Sequence, residues 1–199
     1  MIATLATAGP AKSQTISSEF PFESKFMEIQ RHNLHYIESG TGDPILFLHG
    51  VPMSAYSWRN IIPHISNEGH CLAIDFMGFG KSDKTKKALN YDEQYDYLAE
   101  FIDRLDLRNI TLVMTDIGGI IGQKYARLNP GNVKAMAFME TPITDAETFH
   151  KYGSMMQHML FWMARKDKFG HRMFVKKNMF IKMMPKLIVR KLTEEEQKE

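Results

Sequence analysis

Residues 110–129 read ITLVMTDIGGIIGQKYARLN, and this stretch decides the fold. Ile110 to Met114 is a continuous apolar run, the texture of a strand covered on both faces. From Gly118 onward, IIGQKYARLN has apolar residues at helical spacing and stops before Pro130, which cannot continue a helix. Only Thr115, Asp116 and Ile117 separate the two patterns. The chain must therefore turn sharply and present the Asp116 side chain at the carboxyl end of the strand.

The same form recurs on either side. PILFLHG from Pro44, CLAIDF from Cys71 and VKAMAFME from Val133 are further apolar runs that predict buried strands. Ahead of them, FMEIQ and LHYIES alternate apolar and polar residues around RHN, which predicts an antiparallel hairpin. YDEQYDYLAEFIDRLD repeats Tyr97, Leu98, Phe101, Ile102 and Leu105 at helical spacing. Strand, helix, strand, helix, strand in this order implies an α/β fold with right-handed crossovers and a mostly parallel sheet covered on both sides. Chemistry is expected at the carboxyl ends of the strands, where His49, Asp75, Asp116 and Glu140 all fall.

A length of 199 residues accommodates one domain, and 44% hydrophobic with 24% charged residues and a net charge of +2 describes a soluble globular chain. Cys71 is the only cysteine, so no internal disulfide forms and a cytoplasmic location is the natural expectation. It sits in an apolar run and reads as a small buried hydrophobe. No apolar stretch approaches the ~20 residues of a membrane span. Residues 1–18 read as a disordered leader, 19–142 as the core and 143–199 as a Met-rich, Lys-rich helical cap. From Arg165 to Lys191 ten Lys and Arg face only Asp167, a charge that suits the solvated face of cap helices. The capping box Thr193 to Glu196 opens a helix just before Glu199, so core and cap are both expected to be incomplete, with the C-terminal strands absent. A chain truly ending there would expose an apolar sheet edge, and homo-oligomers would follow.

TDIGG at Thr115–Gly119 has the context of a nucleophile elbow, with Asp116 in the nucleophile's place. Backbone N–H groups at the helix start, Ile117 among them, face the same point and can hold negative charge. The plain alternative is that Asp116 only caps the helix. HGVP at His49–Pro52 ends another strand, and its glycine lets the Val51 N–H approach the same anion hole. GFGKS imitates a phosphate loop, but Asp75 stands where the first glycine is required, so nucleotide and nucleic-acid binding are set aside. No His or Cys spacing matches a zinc site, and no metal or cofactor is expected.

HGVPMSAYSWRNIIPH, IDFMGFGKSD, TDIGG and AFME, in this order, resemble the haloalkane dehalogenases of the α/β-hydrolase superfamily, from about Ser18 into the cap. The resemblance implies a hydrolase that acts on a small hydrophobic substrate through an alkyl ester on Asp116. A carboxylate suits this chemistry because attack on saturated carbon makes an ordinary ester, whereas attack on an acyl carbon makes a reactive anhydride. It also implies that Glu140, 24 residues beyond Asp116, supports a histidine that activates water. That histidine belongs near the last strand, and His150, His158 and His171 stand elsewhere in the fold order. The resemblance further implies side-chain donors for a halide just after the nucleophile and just after HG. Here those positions are Ile117 and Val51, leaving backbone N–H groups and Trp162 of the cap. Met114 stands where the elbow often has glycine. The alternatives are an epoxide hydrolase, for which Tyr152 is the only tyrosine in the cap, and a non-catalytic relative that binds a hydrophobic ligand or partner.

Overall fold

The computed structural model describes residues 17–86 and 89–141. Within them the elements run β1 (Lys25–Ile29), β2 (His32–Ser39), β3 (Pro44–Leu48), a 3-10 turn (Ala55–Trp58), α1 (Ile62–Ile65) and β4 (His70–Ile74). Then come α2 (Tyr91–Arg104), β5 (Ile110–Thr115), α3 (Asp116–Leu128), a second 3-10 turn (Pro130–Asn132) and β6 (Val133–Met139). The expected cap lies outside the described residues, as does the expected leader except for Ser17 and Ser18. Those two are tied to the fold: Arg59 Nε and Asn60 Nδ2 donate to the Ser17 carbonyl, and the Tyr56 hydroxyl donates to that of Ser18.

The six strands form one sheet in the order β1-β2-β4-β3-β5-β6. β1, β2 and β4 pair antiparallel, while the β4–β3, β3–β5 and β5–β6 pairs are parallel. This is the expected mostly parallel sheet with an antiparallel hairpin at one side. The hairpin link is tighter than the sequence suggested. Gln30 and Arg31, at φ 49° and 65°, make the whole turn, and His32 already pairs with Ile29. Two consecutive residues of this handedness match the twist of the flanking strands, which favours the short connection.

The continuous apolar runs are explained by the central strands β3 and β4. Leu46, Leu48, Leu72 and Ile74 pack on one face with Tyr97, Leu98, Phe101 and Ile102 of α2 and with Ile121 and Tyr125 of α3. Their neighbours Phe47, Cys71 and Ala73 face the other way, against Ile37, Trp58 and Ile62. Successive side chains alternate across a strand, so a strand inside two apolar clusters needs an apolar residue at every position. β5 follows this less strictly, alternating buried and half-buried positions. β6 departs from it: Met136, Phe138 and Met139 are exposed, because no described strand lies beyond it.

α2 begins with a complete capping box, in which Asn90 Oδ1 accepts from the Glu93 N–H and Glu93 Oε2 accepts from the Asn90 N–H, both at 2.9 Å. It buries the expected Tyr97, Leu98, Phe101 and Ile102. Phe101 is fully buried and meets Tyr36 edge to face, with ring centroids 5.2 Å apart. Truncating such a side chain removes its transfer energy and leaves a cavity. Phe101→Ala should therefore lower the stability of the chain by about 3–5 kcal/mol, measured as a shift in the urea unfolding midpoint at constant slope.

Candidate active site

The parallel pairing of β3 with β5, Leu48 opposite Met114, brings two carboxyl-end loops side by side. One carries His49–Ala55 and the other the turn into α3. Thr115 ends β5 in an extended conformation (φ −141°, ψ 150°), and Asp116 then turns into the left-handed region at φ 50°. A non-glycine residue held there stores strain of about 1–3 kcal/mol, the cost of turning from strand to helix within one residue. α3 starts at Asp116, two residues before the position the sequence suggested, because the turn takes up a single residue.

The Asp116 carboxylate does not cap its own helix. Its Oδ1 accepts the backbone N–H of Val51, 65 residues away, at 3.0 Å, and Oδ2 takes no donor among the described residues. Close approach of backbones makes this bond attainable. A Cβ at Gly50 would lie 2.5 Å from the Asp116 Cβ, and a Cβ at Gly118 would lie 2.5 Å from the Leu48 carbonyl oxygen and 2.6 Å from that of His49. Ile117 is the second residue of α3, so its N–H is among the first-turn donors that have no intrahelical acceptor. The sequence-predicted Val51 N–H lies in the loop after β3 and bonds Asp116, and the Ile117 N–H lies in the first turn of α3 beside it. The Val51 side chain is exposed, and neither side chain carries a donor.

Glu140 directly follows β6, whose Met139 pairs with Thr115, so Glu140 and Asp116 hold equivalent positions at the ends of neighbouring parallel strands. Glu140 is also left-handed, at φ 48°, and exposed. Next to it the Thr141 hydroxyl donates to the Met139 carbonyl at 3.1 Å, and its side chain fills the space a Cβ at Gly119 would need. Met114, at the position where the elbow often has glycine, is fully buried, and its sulfur occupies the space a Cβ at Gly122 would need. The missing glycine is thereby compensated at Gly122, nearly two turns into α3.

His49 and Asp75 also lie at strand ends, as expected, but both are buried and already bonded. His49 Nδ1 donates to the Gly50 carbonyl at 2.8 Å, and Nε2 accepts the Phe76 N–H at 3.0 Å. Those two partners fix a neutral ring in one tautomer. Burial pushes its pKa below the ordinary histidine value, against the opposing pull of the Gly50 carbonyl and the Asp75 and Asp116 charges. Burial works to raise the Asp75 pKa, yet donors from His35, Ala55 and Lys81 together hold it below the usual carboxylate range. His35 is a partner that sequence reading missed; it sits 40 residues upstream in a strand pattern that gave it no chemical context. The GFGKS loop does cradle an anion, but the anion is Asp75 itself, which accepts the Lys81 N–H at 2.7 Å.

Among the described residues no group of three or more His, Cys, Asp or Glu side chains is arranged to hold a metal ion, and no helix is long and apolar enough to cross a membrane.

Comparison with known proteins places this geometry. A family model described as alpha/beta hydrolase fold matches residues 43–166. A haloalkane dehalogenase of Sphingobium indicum B90A is 37% identical over 186 residues, 88% of this chain and 61% of that protein. The crystal structure of the haloalkane dehalogenase DatA from Agrobacterium tumefaciens C58 superposes with a TM-score of 0.79 at 30% identity, covering 89% of this chain and 60% of that one. A structure of an ancestral haloalkane dehalogenase gives 0.77 at 34% identity, covering 87% and 61%. The chain belongs to the α/β-hydrolase superfamily and, within it, to the haloalkane dehalogenase family. It spans about three fifths of the length of these relatives.

Two outcomes follow from the packing and the charges. Gly118→Ala gains roughly 1 kcal/mol of helix propensity but forces a methyl onto two carbonyl oxygens, an overpacking that typically costs about 1–3 kcal/mol. The chain should be net destabilised in urea unfolding, in contrast to an exposed helical glycine. His49 stays neutral in the fold while it can charge in the unfolded chain, so the unfolded state binds the extra proton. Stability should be complete above the ordinary value of about 6.5 and decline as pH falls below it toward the depressed folded value. Unfolding midpoints between pH 8 and 5, with the His49 ring followed by NMR, check this; a charged His49 ring at pH 6.5 contradicts it.

Proposed function

We propose that the whole protein is a hydrolase of the haloalkane dehalogenase type, in which Asp116 attacks a saturated carbon of a small hydrophobic substrate. The observation that carries this reading is the division of labour within one carboxylate: Oδ1 is held by the Val51 N–H, and Oδ2 has no described donor. The unheld oxygen attacks carbon, a C–O bond forms, and the leaving group departs with the bonding electron pair. The product is an alkyl ester of Asp116.

Hydrolysis then requires water to add to the Asp116 carboxyl carbon. As it adds, negative charge builds on the carbonyl oxygen of the ester, and Oδ1 already lies against the Val51 N–H. Donors aimed in advance at such a charge contribute about 10²–10³ in rate apiece. The Ile117 N–H is the second donor in this proposal, and Glu140 supports the histidine that activates the water. The described histidines do not fill that place: both His49 nitrogens are taken, His35 is committed to Asp75, and His32 to the Tyr97 hydroxyl. His64 lies on α1, and His70 opens β4 at the opposite end of that strand. With none of the described histidines in that place and His150, His158 and His171 elsewhere in the fold order, the ester is expected to accumulate.

The Val51 N–H serves the nucleophile rather than the leaving group, and the side chains of Val51 and Ile117 offer a departing halide nothing. This altered leaving-group site favours testing an epoxide beside a haloalkane, since ring opening retains the leaving oxygen on the product. Incubation with 1,2-dibromoethane and with styrene oxide should add the corresponding alkyl mass to Asp116, located by peptide mapping, with one reagent clearly faster. Asp116→Asn should fold normally by circular dichroism and stay unmodified. An unmodified wild-type chain with both reagents contradicts the nucleophile assignment.

A further inference from the structure

We propose that Asp75, gripped by His35, is a positioning residue for Asp116: it fixes the turn from His49 to Ala55 so that the Val51 N–H stays on the nucleophile's carboxylate. The consequence for rate rests on the reading of Asp116 as the nucleophile; the positioning itself does not.

Asp75 follows β4 and is 1% exposed. Its Oδ2 accepts His35 Nδ1 and the Lys81 N–H, both at 2.7 Å, and its Oδ1 accepts the Ala55 N–H at 2.6 Å. A buried carboxylate is a costly way to fill space, since desolvation must be offset by donors brought from several parts of the chain. The cost is not fully offset, because the buried His35 Nε2 has no partner among the described residues. An apolar pair of similar size would pack at lower cost, so what distinguishes the Asp75–His35 pair is what it holds.

What it holds is one end of the turn. Ala55 is tied to the Asp75 side chain, and His49, at the other end, accepts the N–H of the very next residue, Phe76. Within the turn the Met53 N–H donates to the Gly50 carbonyl at 2.9 Å, and that carbonyl also accepts His49 Nδ1. Val51 lies between the two anchors, so a shift of Ala55 has little chain in which to be absorbed before it reaches the bond to Asp116. Residues 75–81 complete the clamp: Gly80 comes so close to the Asp75 carboxylate that it has no room for a Cβ, and the Ser82 hydroxyl donates to the Asp75 carbonyl at 2.6 Å. Gln94 offers a built-in comparison. It is buried and grips Met77 through both the N–H and the carbonyl, bracing the same loop without touching the turn.

Native-state hydrogen exchange on the intact 199-residue chain tests this without any reaction. In the wild type, the Val51 and Ala55 amides should open together, with one opening free energy and one urea dependence. Asp75→Asn replaces one acceptor by a donor, so a backbone N–H loses its partner. It should accelerate exchange at Val51 and Ala55 by roughly tenfold or more, the loss of a hydrogen bond to a charged group, beyond any change at Leu98 and Phe101. Gln94→Met should raise exchange at Met77 and leave the ratio of Val51 to Leu98 unchanged. Independent opening of Val51 and Ala55 in the wild type overturns the proposal, with no variant needed. So does a uniform acceleration across the chain in Asp75→Asn, the mark of a merely structural residue. Where the wild type forms the Asp116 ester, Asp75→Asn should lower its maximal rate of formation and leave the half-saturating reagent concentration unchanged. A wild type that forms no ester sinks the nucleophile reading alone, because the exchange data decide the positioning by themselves.

Discussion

One hydrogen bond, from the Val51 N–H to Asp116 Oδ1, organises the carboxyl end of this sheet. It joins residues 65 apart and requires two loops to approach at backbone distance. That approach depends on β3 and β5 being parallel neighbours in register, on Gly50 and Gly118 having no side chain to interpose, and on Asp116 accepting a left-handed backbone. The strain at Asp116 and the buried carboxylate at Asp75 both work against stability. The two apolar clusters on either face of β3 and β4 supply the stabilisation that tolerates them. This is the pattern of a site whose local conformation is imposed by a rigid frame.

Much of that frame was legible in the sequence. Apolar runs at Pro44 and Cys71 became β3 and β4, because strands inside two clusters must be apolar at every position, and the run at Ile110 became β5. Tyr97, Leu98, Phe101 and Ile102 announced α2 through helical spacing, whereas the Asn90–Glu93 capping box that starts it emerges only in the structure. The short turns at Ala55–Trp58 and Ile62–Ile65 were not legible, since four residues carry no period to read. The start of α3 was placed late because the turn is compressed into Asp116 alone.

The elbow itself was legible because it needs a fixed order of strand, acid and small residues. The Asp75 network was not. Its partners His35, Ala55 and Lys81 come from three separate segments, and a histidine inside an alternating strand gives no sign of which carboxylate it will meet. GFGKS imitates a nucleotide loop, and its backbone does hold an anion, one supplied by the chain. The haloalkane dehalogenase resemblance survives as family membership.

The central claim is that the Val51 N–H is held by the Asp116 carboxylate, and its most direct measurement is the Val51 amide resonance in the wild type and in Asp116→Ala. The account predicts that removing the carboxylate moves the Val51 proton strongly upfield and speeds its exchange, while amides of α2 and of the β1–β2 hairpin stay in place. A Val51 amide that keeps its shift and its protection without Asp116 would contradict it.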